Sequence, residues 1–135
     1  MAVLLAAVLL LQPPPVTPFT HAVAARCTGE GSHPQAIRIC ACTVKHRLEA
    51  GWSERNVLSA YYAPDVPPSE EGLVAAAAGL DGACQGEEYF LMGPYAARYF
   101  DLEWAVAEVH WDGKAVYAFR KSDWGRRRSH VAGPD

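Results

Sequence analysis

One carboxylate, Glu30, lies between two glycines at the seam of two predicted helices, within Ala24-Ala25-Arg26-Cys27-Thr28-Gly29-Glu30-Gly31-Ser32-His33-Pro34. A carboxyl group fixed in a tight corner can give up a proton and take one back, which is the work of a general acid/base. In such a corner the positive end of a following helix favours the ion, whereas apolar neighbours that exclude water favour the protonated acid. The other chemistry-bearing residues form no comparable set. His21, His33, His46, His110 and His130 fall into no zinc-binding spacing, and neither a Gly-x-Ser-x-Gly nor a phosphate loop occurs, so neither a metal nor a cofactor is expected. Alone, Gly-Glu-Gly is an ordinary solvated turn; its context gives it weight.

The elements around Glu30 follow from spacing. Thr17-Pro18 offers an N-cap and a first-turn proline, and Phe19, Ala22, Val23 and Cys27 recur at helical intervals until Gly29. Ser32-His33-Pro34-Gln35 reads as a capping box opening a second helix from His33 to Ala50, with Ile37, Cys40, Ala41, Val44 and Leu48 as its buried stripe. Ser53 caps a third, shorter helix carrying Val57, Leu58 and Tyr61. A proline-pinned loop, Tyr61 to Pro68, follows, and then a fourth helix capped by Ser69, alanine-rich from Leu73 to Leu80 and ended by Gly79 and Gly82. Glu88 to Met92 is expected to be extended and Tyr95 to Phe100 to form one or two helical turns. Trp104–Trp111 and Lys114–Phe119 flank Asp112-Gly113, a strong hairpin turn. The sum is an α+β, helix-dominated domain with a small antiparallel β-hairpin near the C-terminus.

With 135 residues, half of them hydrophobic, the chain has material for one core. The boundaries read as a signal-like or anchor segment with a proline linker at 1–16, a catalytic-type domain at 17–122, and a basic flexible tail at 123–135. The net charge of -3, with no basic stripe before the tail, argues against a nucleic-acid partner. The unbroken apolar run Ala2–Leu11 is too short to span a bilayer; it matches the core of an export signal and offers a membrane contact. The chain is expected to be exported to the cell envelope or beyond, with cleavage at Ala22-Val23-Ala24 left open because that site falls inside the first helix. Cys40 and Cys42 lie about 200° apart around their helix and cannot bond to each other. Two pairings with Cys27 and Cys84 remain, and in a reducing compartment all four would be small core side chains. Glu87 and Glu88 are expected to be solvated.

Several pieces, in their order and spacing, resemble the spore-cortex-lytic type of cell-wall hydrolase, a lysozyme-like family. Ala25-Arg26-Cys27-Thr28-Gly29-Glu30-Gly31 is similar to that family's Ala-Arg, two variable residues, Gly-Glu-Ala. His46-Arg47 stands where the family has Asn-Arg, and Ala75 to Leu80 with Gly82, Glu88-Tyr89-Phe90 and Val116-Tyr117-Ala118-Phe119 match later pieces. The likeness covers Thr17 to Lys121. Departures fall at Thr28, where the family has Tyr, and at Ser32-His33, where it has Arg and Glu.

The resemblance implies a lysozyme-like fold and cleavage of peptidoglycan glycan strands between N-acetylmuramic acid and N-acetylglucosamine, often by lytic transglycosylation, with Glu30 as the catalytic acid/base. Tyr61, Tyr62, Tyr89 and Phe90 are the candidates for lining the substrate; a loop tyrosine can stack on a sugar face or plug the core. A hydrolase would want a second carboxylate, which Asp101, Glu103 or Glu108 could supply if the hairpin faced Glu30. The expected partner is the glycan strand and the expected state a monomer. The competing reading is a catalytically silent glycan-binding or wall-assembly protein on the same fold.

Overall fold

The computed structural model describes residues 14–61 and 63–127. The N-terminal apolar run, Tyr62 and the chain beyond Arg127 lie outside the described residues.

Helix α1 spans Pro18–Glu30; Thr17 accepts from the Thr20 N–H while Thr20 reciprocates, a capping box with proline at the first position. Helix α2 spans Pro34–Glu49. Its cap is His33, whose Nδ1 accepts from the Gln35 N–H at 3.1 Å, and not Ser32 as the capping-box pattern suggests. Pro34 is the reason: with φ preset and no N–H to satisfy, it takes the first helical position and moves the cap to the residue before it. Short α3 (Glu54–Leu58) and α4 (Glu70–Leu80) open on Ser53 and Ser69, as expected.

Val23, Ala24 and Cys27 of α1 meet Ile37, Cys40, Ala41 and Val44 of α2, with Val57 and the Ala75-Ala76 pair of α4 closing the cluster. α2 packs most extensively on α4. Gly79, expected to end α4, lies inside it, and a β-carbon there would come within 2.7 Å of both the Ala41 Cβ and the Arg38 carbonyl. Its role is to let two helices approach.

The sheet has three strands, β1 (Tyr89–Met92), β2 (Ala107–Trp111) and β3 (Lys114–Phe119), in the order β1-β3-β2, all antiparallel. The turn and second arm of the hairpin are as expected, with Asp112 and Gly113 at φ 46° and 74°, the left-handed pair a two-residue turn demands, whereas the first arm begins at Ala107 and Trp104 lies in a 3-10 turn before it. The extended segment joins it as a third, edge strand, Tyr89 opposite Phe119 and Met92 opposite Val116. One face of the sheet (Ala107, Val109, Val116, Ala118) packs on Ala36 and Ile39 of α2. The other face (Tyr117, Phe119, with Tyr89 and Leu91) is covered by Ala96 and Phe100 from α5 (Gly93–Tyr99) and the residue after it.

The domain continues past residue 122. A 3-10 turn, Lys121–Arg126, folds back with Asp123 buried and bonded to Arg126, Arg126 3.8 Å over the Trp104 ring, and Trp124 edge-on to Tyr89. Asp123 and Trp124, expected in the basic tail, therefore hold this turn against the domain, Asp123 by burial and Trp124 by its contacts with Tyr89 and Phe100, while Gly125, Arg126 and Arg127 stay exposed.

Two disulfides staple the helical half: Cys27–Cys40 joins α1 to α2, and Cys42–Cys84 joins α2 to the segment before β1. No helix among the described residues is long and apolar enough to cross a membrane.

Candidate active site

Glu30 is the last residue of α1, half-buried, and several residues of its motif hold the segment that follows α3. Ala25 accepts from the Val66 N–H at 3.2 Å. Arg26 donates through Nε to the Leu58 carbonyl at 2.9 Å and pairs with Asp65 at 2.7 Å. Gly29 lies so close to the Pro64 carbonyl that no β-carbon would fit. Glu30 itself accepts from the Ala63 N–H at 3.2 Å through Oε2. Its other oxygen has no hydrogen bond from a described residue.

On the far side stands the hairpin tip. A β-carbon on Gly31 would come within 3.2 Å of the Trp111 ring and 3.3 Å of the Ala36 Cβ. Trp111 also lies 5.7 Å from the His33 ring. Glu30 is thus set where the helical half and the sheet half meet, between the Ala63-Pro64 loop and Trp111.

Tyr61 adjoins Glu30. Its half-buried ring packs against the helical core, and its hydroxyl lies 3.7 Å from Cys40 Sγ, which as a disulfide sulfur can only accept. Burial pushes this phenol above its ordinary range; Arg47 and a hydrogen bond with Thr43 oppose, and the Glu30 charge adds to the rise. Tyr61 is therefore acted on by the charges of both Glu30 and Arg47. Tyr62 lies outside the described residues.

Tyr89 and Phe90 are not in this corner. Phe90 is wedged between the helical core and the sheet, and Tyr89, on the opposite face of β1, packs on Phe100, Phe119 and Trp124. Because β1 is an edge strand, both also line a groove of about 530 Å³ between β1, the end of α2 and the final 3-10 turn. Glu30 lines neither this groove nor the one of about 690 Å³ between α2 and α4. The groove at β1 also holds Arg47, which the sequence reading quoted only as part of the His46-Arg47 resemblance, and Trp52 and Trp124, which it did not single out. The available signal was Trp124, a tryptophan in an otherwise basic segment.

None of the three candidate second carboxylates joins Glu30. Glu108 pairs with His110 at 2.7 Å on an exposed position across from Tyr117, on the sheet face turned away from α2. Asp101 caps the 3-10 turn Leu102–Trp104 by accepting from the Glu103 N–H, and both carboxylates follow α5 on that same side.

Glu87 corrects an expectation. It is buried, its side chain fully shielded, paired with Arg38 at 3.0 Å and accepting from the Gln85 N–H. Burying a carboxylate is costly without such partners. With Cys42 and Cys84 it brings two sulfurs and an oxygen within 4.8 Å of one another, but the sulfurs are bonded to each other, so the thiolates a soft metal requires are absent.

No match to the chain was found among family models, curated proteins or solved structures.

Proposed function

We propose that this protein cleaves the glycan strand of peptidoglycan between N-acetylmuramic acid and N-acetylglucosamine as a lytic transglycosylase, with Glu30 as its acid/base. The observation that carries the reading is the setting of Glu30: a half-buried carboxylate at the junction of two halves, one oxygen fixed by the Ala63 N–H and the other without a bond from a described residue. A fixed carboxyl with one free oxygen suits proton transfer in both directions.

In the first step the protonated carboxyl donates to the glycosidic oxygen as the C1–O bond breaks and an oxocarbenium-like centre develops at C1. In the second, the carboxylate takes the proton of the same sugar's 6-hydroxyl, whose oxygen closes on C1. The proton returns to Glu30 and the product is a 1,6-anhydro sugar. One carboxylate suffices, which accords with Asp101, Glu103 and Glu108 being placed elsewhere. The two disulfides support export to an oxidising compartment, where the wall is met.

A second reading, glycan binding without cleavage, is equally compatible with the Ala63 bond, which closes the loop whether or not turnover occurs. Digestion of purified peptidoglycan by the wild type and by Glu30→Gln, with products weighed by mass spectrometry, separates the two. Anhydro-muramyl fragments from the wild type alone are expected. Reducing-end fragments would mean hydrolysis, and no fragments from a folded, sacculus-binding wild type would leave binding as the function.

A further inference from the structure

The groove beside β1 combines features that the Glu30 corner does not use. Trp52, in the turn after α2, and Trp124, in the final 3-10 turn, stand on its borders with 45% and 49% of their surfaces exposed. Large aromatic side chains left this open are costly to keep in water and mark contact surfaces. Each is backed by a guanidinium on one face: Arg47 lies 5.1 Å from the Trp52 ring centre and Arg127 4.3 Å from that of Trp124. Cation stacking of this kind holds an indole in place, so the ring is presented and not left to rotate. Tyr89 and Phe90 supply the apolar wall between them.

The polar groups are as specific. Arg47 and Lys121 bring fixed positive charge to the groove. Glu88 brings one carboxylate, which accepts from the Lys121 N–H and lies 3.6 Å from His46 Nδ1. An occupant must therefore offer an apolar face to aromatic rings, hydroxyl or amide hydrogens to Glu88, and a single negative charge to Arg47 or Lys121. A polyphosphate or nucleic acid fails, because Glu88 would repel it. A pyranose meets the first two demands, with one face of C–H bonds and a rim of hydroxyls, and a carboxylate substituent meets the third.

We propose that this groove is a binding site for a carboxylate-bearing pyranose, gripped between Trp52 and Trp124 with its acid group on Arg47 or Lys121. The site takes only the class of polymer from the reading above and does not depend on Glu30 being the acid.

The test uses the full chain carrying Glu30→Gln, so that nothing is cut, titrated with the disaccharide of N-acetylglucosamine and N-acetylmuramic acid or with the neutral N-acetylglucosamine dimer. The readout is the set of indole N–H signals, each assigned by a Trp→Phe exchange. The acidic disaccharide is expected to shift Trp52 and Trp124, to bind more tightly than the neutral dimer, and to lose about tenfold in affinity with Trp52→Ala. Trp124→Ala is a second variant, but it also removes a packing partner of Tyr89, so Trp52→Ala decides. Lys121→Gln and Arg47→Gln together should erase the preference for the acidic sugar. Shifts confined to Trp111, an unchanged affinity in Trp52→Ala, equal binding of the neutral dimer, or no binding of either would each overturn the proposal. Peptidoglycan digestion by the wild type is scored separately: cleavage without groove binding sinks only this site, and groove binding without cleavage sinks only the enzyme.

Discussion

The carbonyl oxygen of Pro64 occupies the space that a β-carbon on Gly29 would need. Since the obstacle is backbone, it cannot be relieved by a rotamer change, and the Tyr61–Val66 loop would have to move away from α1. Gly29→Ala is expected to cost about 1–3 kcal/mol, a loss of several degrees in thermal unfolding. Gly31→Ala meets only the ring edge of Trp111 and the methyl of Ala36, which can give way by tenths of an ångström, so its loss should be clearly smaller. Equal losses would contradict this account of the corner.

Glu30 plays a structural part that can be separated from a chemical one. Glu30→Gln keeps an oxygen for the Ala63 N–H and should melt with the wild type, whereas Glu30→Ala leaves that N–H without its acceptor and should lose about 1 kcal/mol. If Glu30 is the acid/base, both variants lose about a hundredfold or more in fragment release from peptidoglycan. A Gln variant that melts early would mean that the carboxylate's charge matters to the fold.

The two disulfides close loops of different length, with sequence separations of 13 for Cys27–Cys40 and 42 for Cys42–Cys84. Chain-entropy estimates put their contributions at about 3 and about 4 kcal/mol. The loops do not overlap, so removing each as a double Cys→Ala variant should give losses that nearly add when both are removed. Denaturant unfolding of the three variants measures this, and the Cys42/Cys84 pair is expected to be the more costly.

Arg38 is the sole cationic partner of the buried Glu87 among the described ion pairs, and it also donates to the Ala83 carbonyl at 2.7 Å. Arg38→Ala should cost about 3–5 kcal/mol by stranding a shielded carboxylate, while Arg38→Met with Glu87→Leu should recover much of it. A double variant no better than the single one would show that the ion pair is not what makes Arg38 matter.

Tyr89 gives the molecule an alkaline limit. Burial, with Asp123 next and Glu88 after it, against the opposing Arg127, pushes its phenol up to about 12, and Tyr61 is also raised, chiefly by burial. A phenol is neutral when protonated, so the unfolded chain loses these protons first, near pH 10. From there to about pH 12 the unfolded state binds fewer protons than the folded one, and stability falls as pH rises. Urea unfolding at pH 9 to 12 should show the decline, and Tyr89→Phe should lessen it. The Tyr89 hydroxyl is shielded with no partner among the described residues, so the same variant is also expected to gain up to about 1 kcal/mol at neutral pH.

Features written in a few adjacent residues were legible in the sequence. Thr17, Ser53 and Ser69 cap their helices by local hydrogen bonds, and Asp112-Gly113 turns the hairpin by its own backbone preference. Where two local rules competed, sequence reading chose the weaker: Ser32 and Gln35 make a capping pattern, but Pro34 fixes the first turn and His33 caps it. What depends on distant partners was hidden. Glu87 reads as solvated until Arg38 is brought to it from 49 residues away, and β1 has no visible partner until β3 arrives. In the candidate site, the glycines around Glu30 marked the corner, while the walls that need them, Pro64 and Trp111, come from two other parts of the fold.

Cys40 and Cys42 stand almost back to back on α2, so the stitching of this protein is uneven. One bond ties α2 to α1 and the other ties it to the segment entering β1, where Arg38–Glu87 adds a second fastening. At the opposite end of the sheet, the hairpin tip meets the start of α2 and the turn before it by packing, Trp111 against Gly31, Ala36 and the His33 ring. The two halves close like a clasp, covalently pinned where β1 begins and held by packing where Trp111 meets Glu30's corner, which is the end at which their separation is expected to begin.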